Sequence, residues 1–384
     1  MSLSQPKLTY KAYAYKNGNN PIKVVEETID LVKNPSGQGY IAPPGKILLK
    51  INYASLNPVD YKLYKVKPSF IGLFNSKQGF GRDFGGEVLS IGEGTKTNLK
   101  IGDYAEGIYT PMFSKGSAAE YLLVDPKNSP ITNKPANIDV AQASSFPLVL
   151  GTAMQMCSRG GIKFPQSKVL VIGAGTSVGR YAVQLARNGG AKEVVTTNSA
   201  RTSDLIQSLG ATSQIDYRKN PNLLTPVLES VKSTGQFDYI IDCWGGSDLF
   251  PEINTILRKG GVYNTIVGDA PGTGLAALLG GAKSVTRTIG SKLGFLNYTY
   301  ELMLLDNNAG WIDEARDLVG NGEVKIFIDS IWPFDQLNEA IEKLESGTAQ
   351  GKIVLEVSKS SSSSSNTSTS EAGSVNGSNT NPFK

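Results

Sequence analysis

The stretch Ser167–Gly190, SKVLVIGAGTSVGRYAVQLARNGG, constrains the fold of this chain more than any other. Lys168 to Ile172 is a short apolar run rich in β-branched residues, the pattern of a parallel strand covered on both faces. Gly173, Gly175 and Gly179 then punctuate a turn, where glycine admits positive φ and lets a backbone or a phosphate approach closely. From Val178 the period becomes helical: Val178, Ala182, Leu185 and Ala186 recur at helical spacing, and Gly189 and Gly190 end the helix. A helix start aimed back over such a turn offers free N–H groups and a partial positive charge, which together suit a pyrophosphate. The stretch therefore predicts strand, nucleotide-binding turn and helix, with Gly173, Gly175, Thr176, Ser177, Val178 and Gly179 as cofactor-binding residues. A tight turn that binds nothing would carry the same glycines. Thr176 stands where such turns often have a glycine, which favours an NADP-type variant or a weakened site.

The next run, EVVTTNSAR (Glu193–Arg201), separates the two nicotinamide dinucleotides. An NAD site wants an acid about 20 residues past the glycines to hold the ribose 2′-hydroxyl. That position falls on Asn198 and Ser199, and no acid follows until Asp204. Arg201 is placed to meet a 2′-phosphate, with Ser199 as a hydrogen-bond donor. NADPH is thus expected over NADH; an Arg201 that merely caps a loop is the competing explanation.

Composition narrows the chemistry. The chain has 384 residues, enough for two domains, a net charge of only +4, and no basic run that would suit nucleic acid. No apolar run reaches the length of about 18 residues that a membrane span needs. The opening residues MSLSQPKLTYKAYAYK lack the apolar core of a secretory signal. Two cysteines, Cys157 and Cys243, make no disulfide framework and fit a reducing compartment. There is no histidine. This removes the commonest metal ligand and the commonest general base together, and with them a histidine-dependent serine triad. No metal site is expected.

Around the central stretch, residues 1–150 read as many short strands parted by Gly, Pro and Asn, the pattern of a closed or partly closed barrel. A helical connector spans Asp139–Gly161. From about Lys163 strands and helices alternate as βαβ units of a parallel sheet. Residues 271–300, beginning PGTGLAALLGGAKSV, read as a small, apolar, flexible segment that either packs as a loop, lines a substrate entrance or touches a lipid surface. Asn308–Gly320 reads as an amphipathic helix and Gly351–Val357 as a last strand. Beyond Lys359, serine, asparagine and threonine dominate, and disorder is expected over 359–384.

Several separate motifs carry a resemblance. NPVDYKLY (Asn57–Tyr64), GRDFGGEVLSIGEG (Gly81–Gly94), GDYAEGIY (Gly102–Tyr109), GTA (Gly151–Ala153), the cofactor turn, LGATSQIDYRK (Leu209–Lys219) and GKIVLEV all occur in this order. Together they resemble the zinc-free quinone oxidoreductase branch of the medium-chain dehydrogenase/reductase superfamily over nearly all of Leu8–Val357, and within it the fungal Yim family. The resemblance implies an α/β fold with a GroES-like β-barrel domain over 1–150, a Rossmann doubly wound parallel-sheet domain binding NADP over 151–319, and a return to the first domain over 320–358. It implies NADPH as cofactor, with Thr152 beside the nicotinamide, Tyr217 near the adenosine end and Val267 among the cofactor-binding residues. It further implies a homodimer, and an intracellular protein at the lipid droplet or mitochondrion, if not the cytoplasm.

Hydride transfer to an already activated acceptor, a quinone or an enone, needs positioning more than a metal. The oxygen that gains charge wants a donor, and Asn57, Tyr61 and Tyr64 are the candidates, Tyr61 first. A tyrosine hydroxyl can hydrogen-bond a carbonyl but is a weak acid near neutral pH. The bland reading makes both tyrosines rim or packing residues. Asp60 and Asp83 are expected to tie turns together through backbone N–H groups. The functional alternative is a catalytically weak or inactive protein of the same fold, acting at lipid droplets or in a stress response.

Overall fold

The computed structural model describes residues 6–16, 20–65, 77–111, 114–269, 275–308 and 310–358. The expected disordered tail, 359–384, and the start of the 271–300 segment lie outside these residues. The chain forms two units: one of Met1–Leu148, Asn307–Gly320 and Ile326–Lys384, the other of Val149–Asp306 and Asn321–Lys325. The return to the first unit thus begins at Asn307, not at 320, because the helix Gly310–Gly320 is anchored there: Asp313 and Arg316 both bond the Thr132 hydroxyl.

The first unit is built from β1 (Lys7–Tyr15), β2 (Lys23–Asp30), β3 (Val32–Lys33), β4 (Tyr40–Ile41), β5 (Ile47–Leu56), β6 (Gln78–Gly79), β7 (Asp83–Ile91), β8 (Tyr104–Ile108), β9 (Tyr121–Val124) and β10 (Ile131–Asn133). The second holds β11 (Lys168–Ile172), β12 (Glu193–Asn198), β13 (Ser213–Asp216), β14 (Phe237–Asp242), β15 (Leu257–Thr265) and β16 (Thr299–Leu302); β17 (Ile328–Pro333) and β18 (Lys352–Glu356) complete the first.

In the first unit β5 is the pivot. It pairs antiparallel with β7 along its length, with β9 through its first half and with β18 through its second. The sheet runs β10-β8-β7-β5-β18-β17, and a separate sheet runs β2-β1-β6. Ile47, Leu49, Ile51, Phe84 and Val88 form one core between strands; Leu56, Phe80, Leu337, Ile353 and Leu355 form another. Close strand approach selects glycine at Gly86, where a Cβ would lie 2.3 Å from the Lys50 carbonyl oxygen.

In the second unit all six strands are parallel, in the order β13-β12-β11-β14-β15-β16. Chain direction across the sheet reverses between β11 and β14. This is the doubly wound arrangement, whose ligand crevice lies at the carboxyl ends of the strands at that switch point. Leu170, Val195, Ile240, Ile256 and Tyr263 belong to a single core cluster.

Two expectations are corrected. The connector is two helices, Val140–Ala143 and Pro147–Ser158, split where Pro147 opens the second. The flexible segment contains a helix, Leu275–Lys292. Its alanines favour helix, and two side chains pin it: Ser284 donates to Asp269 at 2.9 Å, and Arg287 bonds the same carboxylate at 2.9 Å.

Candidate active site

The glycine turn sits at the carboxyl end of β11. Gly173 has φ +74°, open to glycine and strained for other residues. The helix Ser177–Asn188 follows, and Thr176 is its N-cap, with extended backbone and its hydroxyl oxygen accepting from the Gly179 N–H at 3.0 Å. Thr176 therefore completes the helix start instead of distorting it. The cap takes one N–H. Those of Ser177 and Val178, first and second in the helix, have no intrahelical acceptor by helix geometry. Gly179 is required by contact: a Cβ there would lie 2.3 Å from the Gly173 carbonyl oxygen. Gly175 faces the Thr202 side chain, whose hydroxyl would stand 3.3 Å from a Cβ. The glycines of the turn are thus set by close approach of the protein's own backbone and side chains.

The other predicted cofactor residues fall on neighbouring strand ends. Ser199 is buried just past β12, and Arg201 is exposed on the short 3-10 turn Ala200–Thr202, next to the Thr202 that covers Gly175. Asn198, where an NAD-type acid would stand, is buried and bonded to Thr196 and Gln214. Tyr217 follows β13 and is 45 % exposed. Val267 follows β15 and abuts the loop after β14, its Cγ1 2.7 Å from where a Gly245 Cβ would be. Thr152 lies elsewhere, buried in the helix Pro147–Ser158, whose end is tied to β15 by Asn264 donating to the Met156 and Arg159 carbonyls.

The motif residues of the first unit gather around a buried ion pair. Asn57 precedes the helix Pro58–Lys65, with Pro58 next and Asp60 two positions further. Asp60 Oδ2 accepts from the Asn57 N–H at 2.8 Å, the reciprocal half of a capping box. The Asn57 side chain turns inward: its Nδ2 donates to Asp83 at 2.8 Å, and its Oδ1 accepts from Lys352 Nζ at 2.5 Å. Lys352 also reaches Asp83 at 3.1 Å, and Asp83 takes further hydrogen bonds from Ser55 and the Leu148 N–H. Asn57, Asp83 and Lys352 are all at most 3 % exposed. One expectation is corrected and one extended. Asn57 is a positioning residue inside the unit, since its amide is committed and covered. Asp83 serves the Leu148 backbone, but its main charge partner is Lys352, which motif reading overlooked although GKIVLEV contains it.

The two tyrosines of the helix differ. Tyr64 donates its hydroxyl to the Asn20 carbonyl and meets Tyr15 edge-on at 5.2 Å, so it is a packing residue. Tyr61 is half-buried, with the Lys65 ammonium 5.6 Å from its ring centroid. Burial, chiefly, raises its hydroxyl pKa, with Glu345 adding and Lys65 opposing.

Asp60 supplies a pH test of this packing. Burial pushes its carboxyl up to about 7, against the lowering effect of the Asn57 N–H. In the unfolded chain the value is about 3.9. The folded state therefore holds a proton that the unfolded state has released between those limits. The Asp60 contribution to stability falls as pH rises from about 4 to 7 and is constant above, by up to about 4 kcal/mol in all. Denaturation across pH should show wild type losing stability relative to Asp60→Asn over that window; parallel profiles would contradict the assignment.

Among the described residues no group of three or more His, Cys, Asp or Glu is arranged to hold a metal ion. The chain has no histidine, and both cysteines are buried with thiols pushed up by burial. Among the described residues no helix is long and apolar enough to cross a membrane.

Comparison with known proteins agrees with the fold. Residues 209–355 match the family described as zinc-binding dehydrogenase. The quinone oxidoreductase of Coxiella burnetii superposes with a TM-score of 0.70 at 24 % identity, over 91 % of this chain and 99 % of that one. The Escherichia coli quinone oxidoreductase, solved in complex with NADPH, gives 0.68 at 19 % identity, over 91 % and 100 %. A doubly wound unit with a glycine-rich turn, joined in sequence to a β unit of this topology, is the fold of medium-chain dehydrogenase/reductases, and this chain has that fold. The chain is also similar to proteins of the Yim family: Protein YIM1-2 of Lachancea thermotolerans is 29 % identical over 371 residues, 92 % of this chain and 99 % of the relative.

Proposed function

We propose that the chain is an NADPH-dependent, zinc-independent oxidoreductase that reduces quinones or α,β-unsaturated carbonyls. The observation that carries this reading is the carboxyl edge of the parallel sheet. There the open N–H groups of Ser177 and Val178 follow a glycine-rich turn, and the neighbouring β12 ends in Asn198 and Ser199 without an acid. The E. coli quinone oxidoreductase of the same fold was solved with NADPH.

Bound there, NADPH supplies a hydride to an electron-poor carbon. The chain's part is to hold and orient. Ser177 and Val178 take the pyrophosphate, Ser199 and Arg201 the 2′-phosphate, and Tyr217 the adenosine end. Thr152 and Val267 are assigned to the nicotinamide side. Tyr61 is the donor to the acceptor's oxygen, because Asn57 and Tyr64 are committed to other partners. That commitment also favours a second reading, in which the fold and nucleotide are kept but turnover is weak or absent and the protein acts at a lipid droplet or in a stress response.

Arg201→Ala separates the nucleotides. Loss of a charge-assisted pair should weaken NADPH about 10- to 100-fold and leave NADH nearly unchanged; equal loss for both would remove Arg201 from the phosphate site. The function itself is tested by mixing the full chain with NADPH and a panel of quinones and enones, with and without a chelator. Nicotinamide oxidation coupled to acceptor reduction and indifferent to the chelator is expected. NADPH binding without turnover across the panel would leave the second reading.

A further inference from the structure

Trp244 has no place in any motif, yet it occupies the switch point itself. It is the second residue past β14, and its Cβ lies 3.0 Å from where a Cβ on Gly173 would be. Its side chain therefore leaves the backbone against the phosphate turn. The residue is 60 % exposed. An indole is mostly apolar surface and is usually covered, so a Trp held open beside this turn is a surface awaiting a partner.

The loop that carries it is held in place. Asp242 accepts from the Trp244 N–H at 3.0 Å and the Gly245 N–H at 2.7 Å, and the Cys243 N–H is bonded to the Ile172 carbonyl. The Gly246 N–H bonds the Gly268 carbonyl at 3.0 Å, and Gly245 and Gly246 take φ of +90° and +129°. Tyr263 donates to the same Asp242 carboxylate at 3.1 Å. Exposure of Trp244 is thus built into a fixed loop, and the ordering that a ligand contact would require is already in place.

Position sets which part of a dinucleotide it meets. Ser199, Arg201 and Tyr217 flank the turn on the β12–β13 side, where the 2′-phosphate is assigned. Trp244, Gly245 and Val267 flank it on the β14–β15 side. A dinucleotide whose pyrophosphate rests on the turn spans both.

Resting on the NADPH reading above, we propose that Trp244 forms a wall of the dinucleotide site, its indole stacking on the nicotinamide half of the cofactor. Calorimetric titration of wild type, Trp244→Phe and Trp244→Ala with NADPH tests this, with tryptophan-sensitised nicotinamide emission as a second readout. Losing a stacked ring should weaken binding about tenfold in Trp244→Ala, while Trp244→Phe stays within about threefold of wild type. Sensitised emission should fall in Trp244→Phe, although Trp311 and Trp332 remain. An exposed position lets all three proteins fold, which melting curves check. Wild-type affinity in Trp244→Ala would overturn the stacking role alone. No NADPH binding by wild type would overturn the cofactor reading and this inference with it.

Discussion

Lys352→Met is expected to destabilise the first unit by about 3–5 kcal/mol, measured as a shift of its denaturation midpoint. The Lys352 ammonium and the Asp83 carboxylate are 3.1 Å apart and are 3 % and 0 % exposed as side chains. Removing the lysine leaves Asp83 with hydrogen bonds from Ser55, Asn57 and Leu148 but with no compensating charge. A buried pair broken on one side costs far more than the intact pair contributes. The Asn57 Oδ1 loses its donor as well, and with it one of the bonds that tie the start of the helix Pro58–Lys65 to β18. Replacing both charges, as in Asp83→Asn with Lys352→Met, should recover a large part of the loss, and the cycle yields a coupling energy. A single-variant loss below about 1 kcal/mol would mean that the pair is not buried as described.

Gly179→Ala is expected to weaken NADPH binding about 100-fold, or ~2.7 kcal/mol, as titration would measure. The added methyl would sit 2.3 Å from the Gly173 oxygen and 2.7 Å from the Ala174 Cα. Both are backbone atoms of the turn, so no side chain can swing away, and the helix start must shift from the turn. The Ser177 and Val178 N–H groups shift with it. Thr176→Gly is the informative contrast. It removes a cap worth about 1 kcal/mol or less of stability but frees the Gly179 N–H, so affinity should hold or rise. Retained affinity in Gly179→Ala would move the phosphate site away from this turn.

How far the sequence foretold these sites depends on the reach of the interactions. The strand, turn and helix of Lys168–Asn188 were legible because their determinants are local: a β-branched run, glycines and an apolar stripe of helical period. The missing acid at Asn198 and Ser199 was legible as well, since it needs only counting from Gly179. Thr176 read as a threat because a hydroxyl's capping bond three residues on is not visible in glycine spacing. The Asn57–Lys352 contact spans 295 positions, so neither motif announces the other, and Asn57 reads as a candidate donor to substrate. The helix Leu275–Lys292 was taken for a flexible segment because its glycines and small residues weaken local preference. What holds it is Ser284 and Arg287 reaching Asp269, a tertiary anchor. Trp244 carries no signal in the sequence because exposure, not pattern, makes it informative.

NADPH binding at the carboxyl edge of the parallel sheet is tested most directly by calorimetric titration of the full chain with NADPH and with NADH. Tighter binding of NADPH by at least about tenfold is predicted, with a thermal stabilisation near 2.7 kcal/mol when NADPH stands at about 100 times its Kd. Equal affinity for both nucleotides would contradict the 2′-phosphate assignment to Ser199 and Arg201, and no binding of either would contradict the cofactor site as a whole.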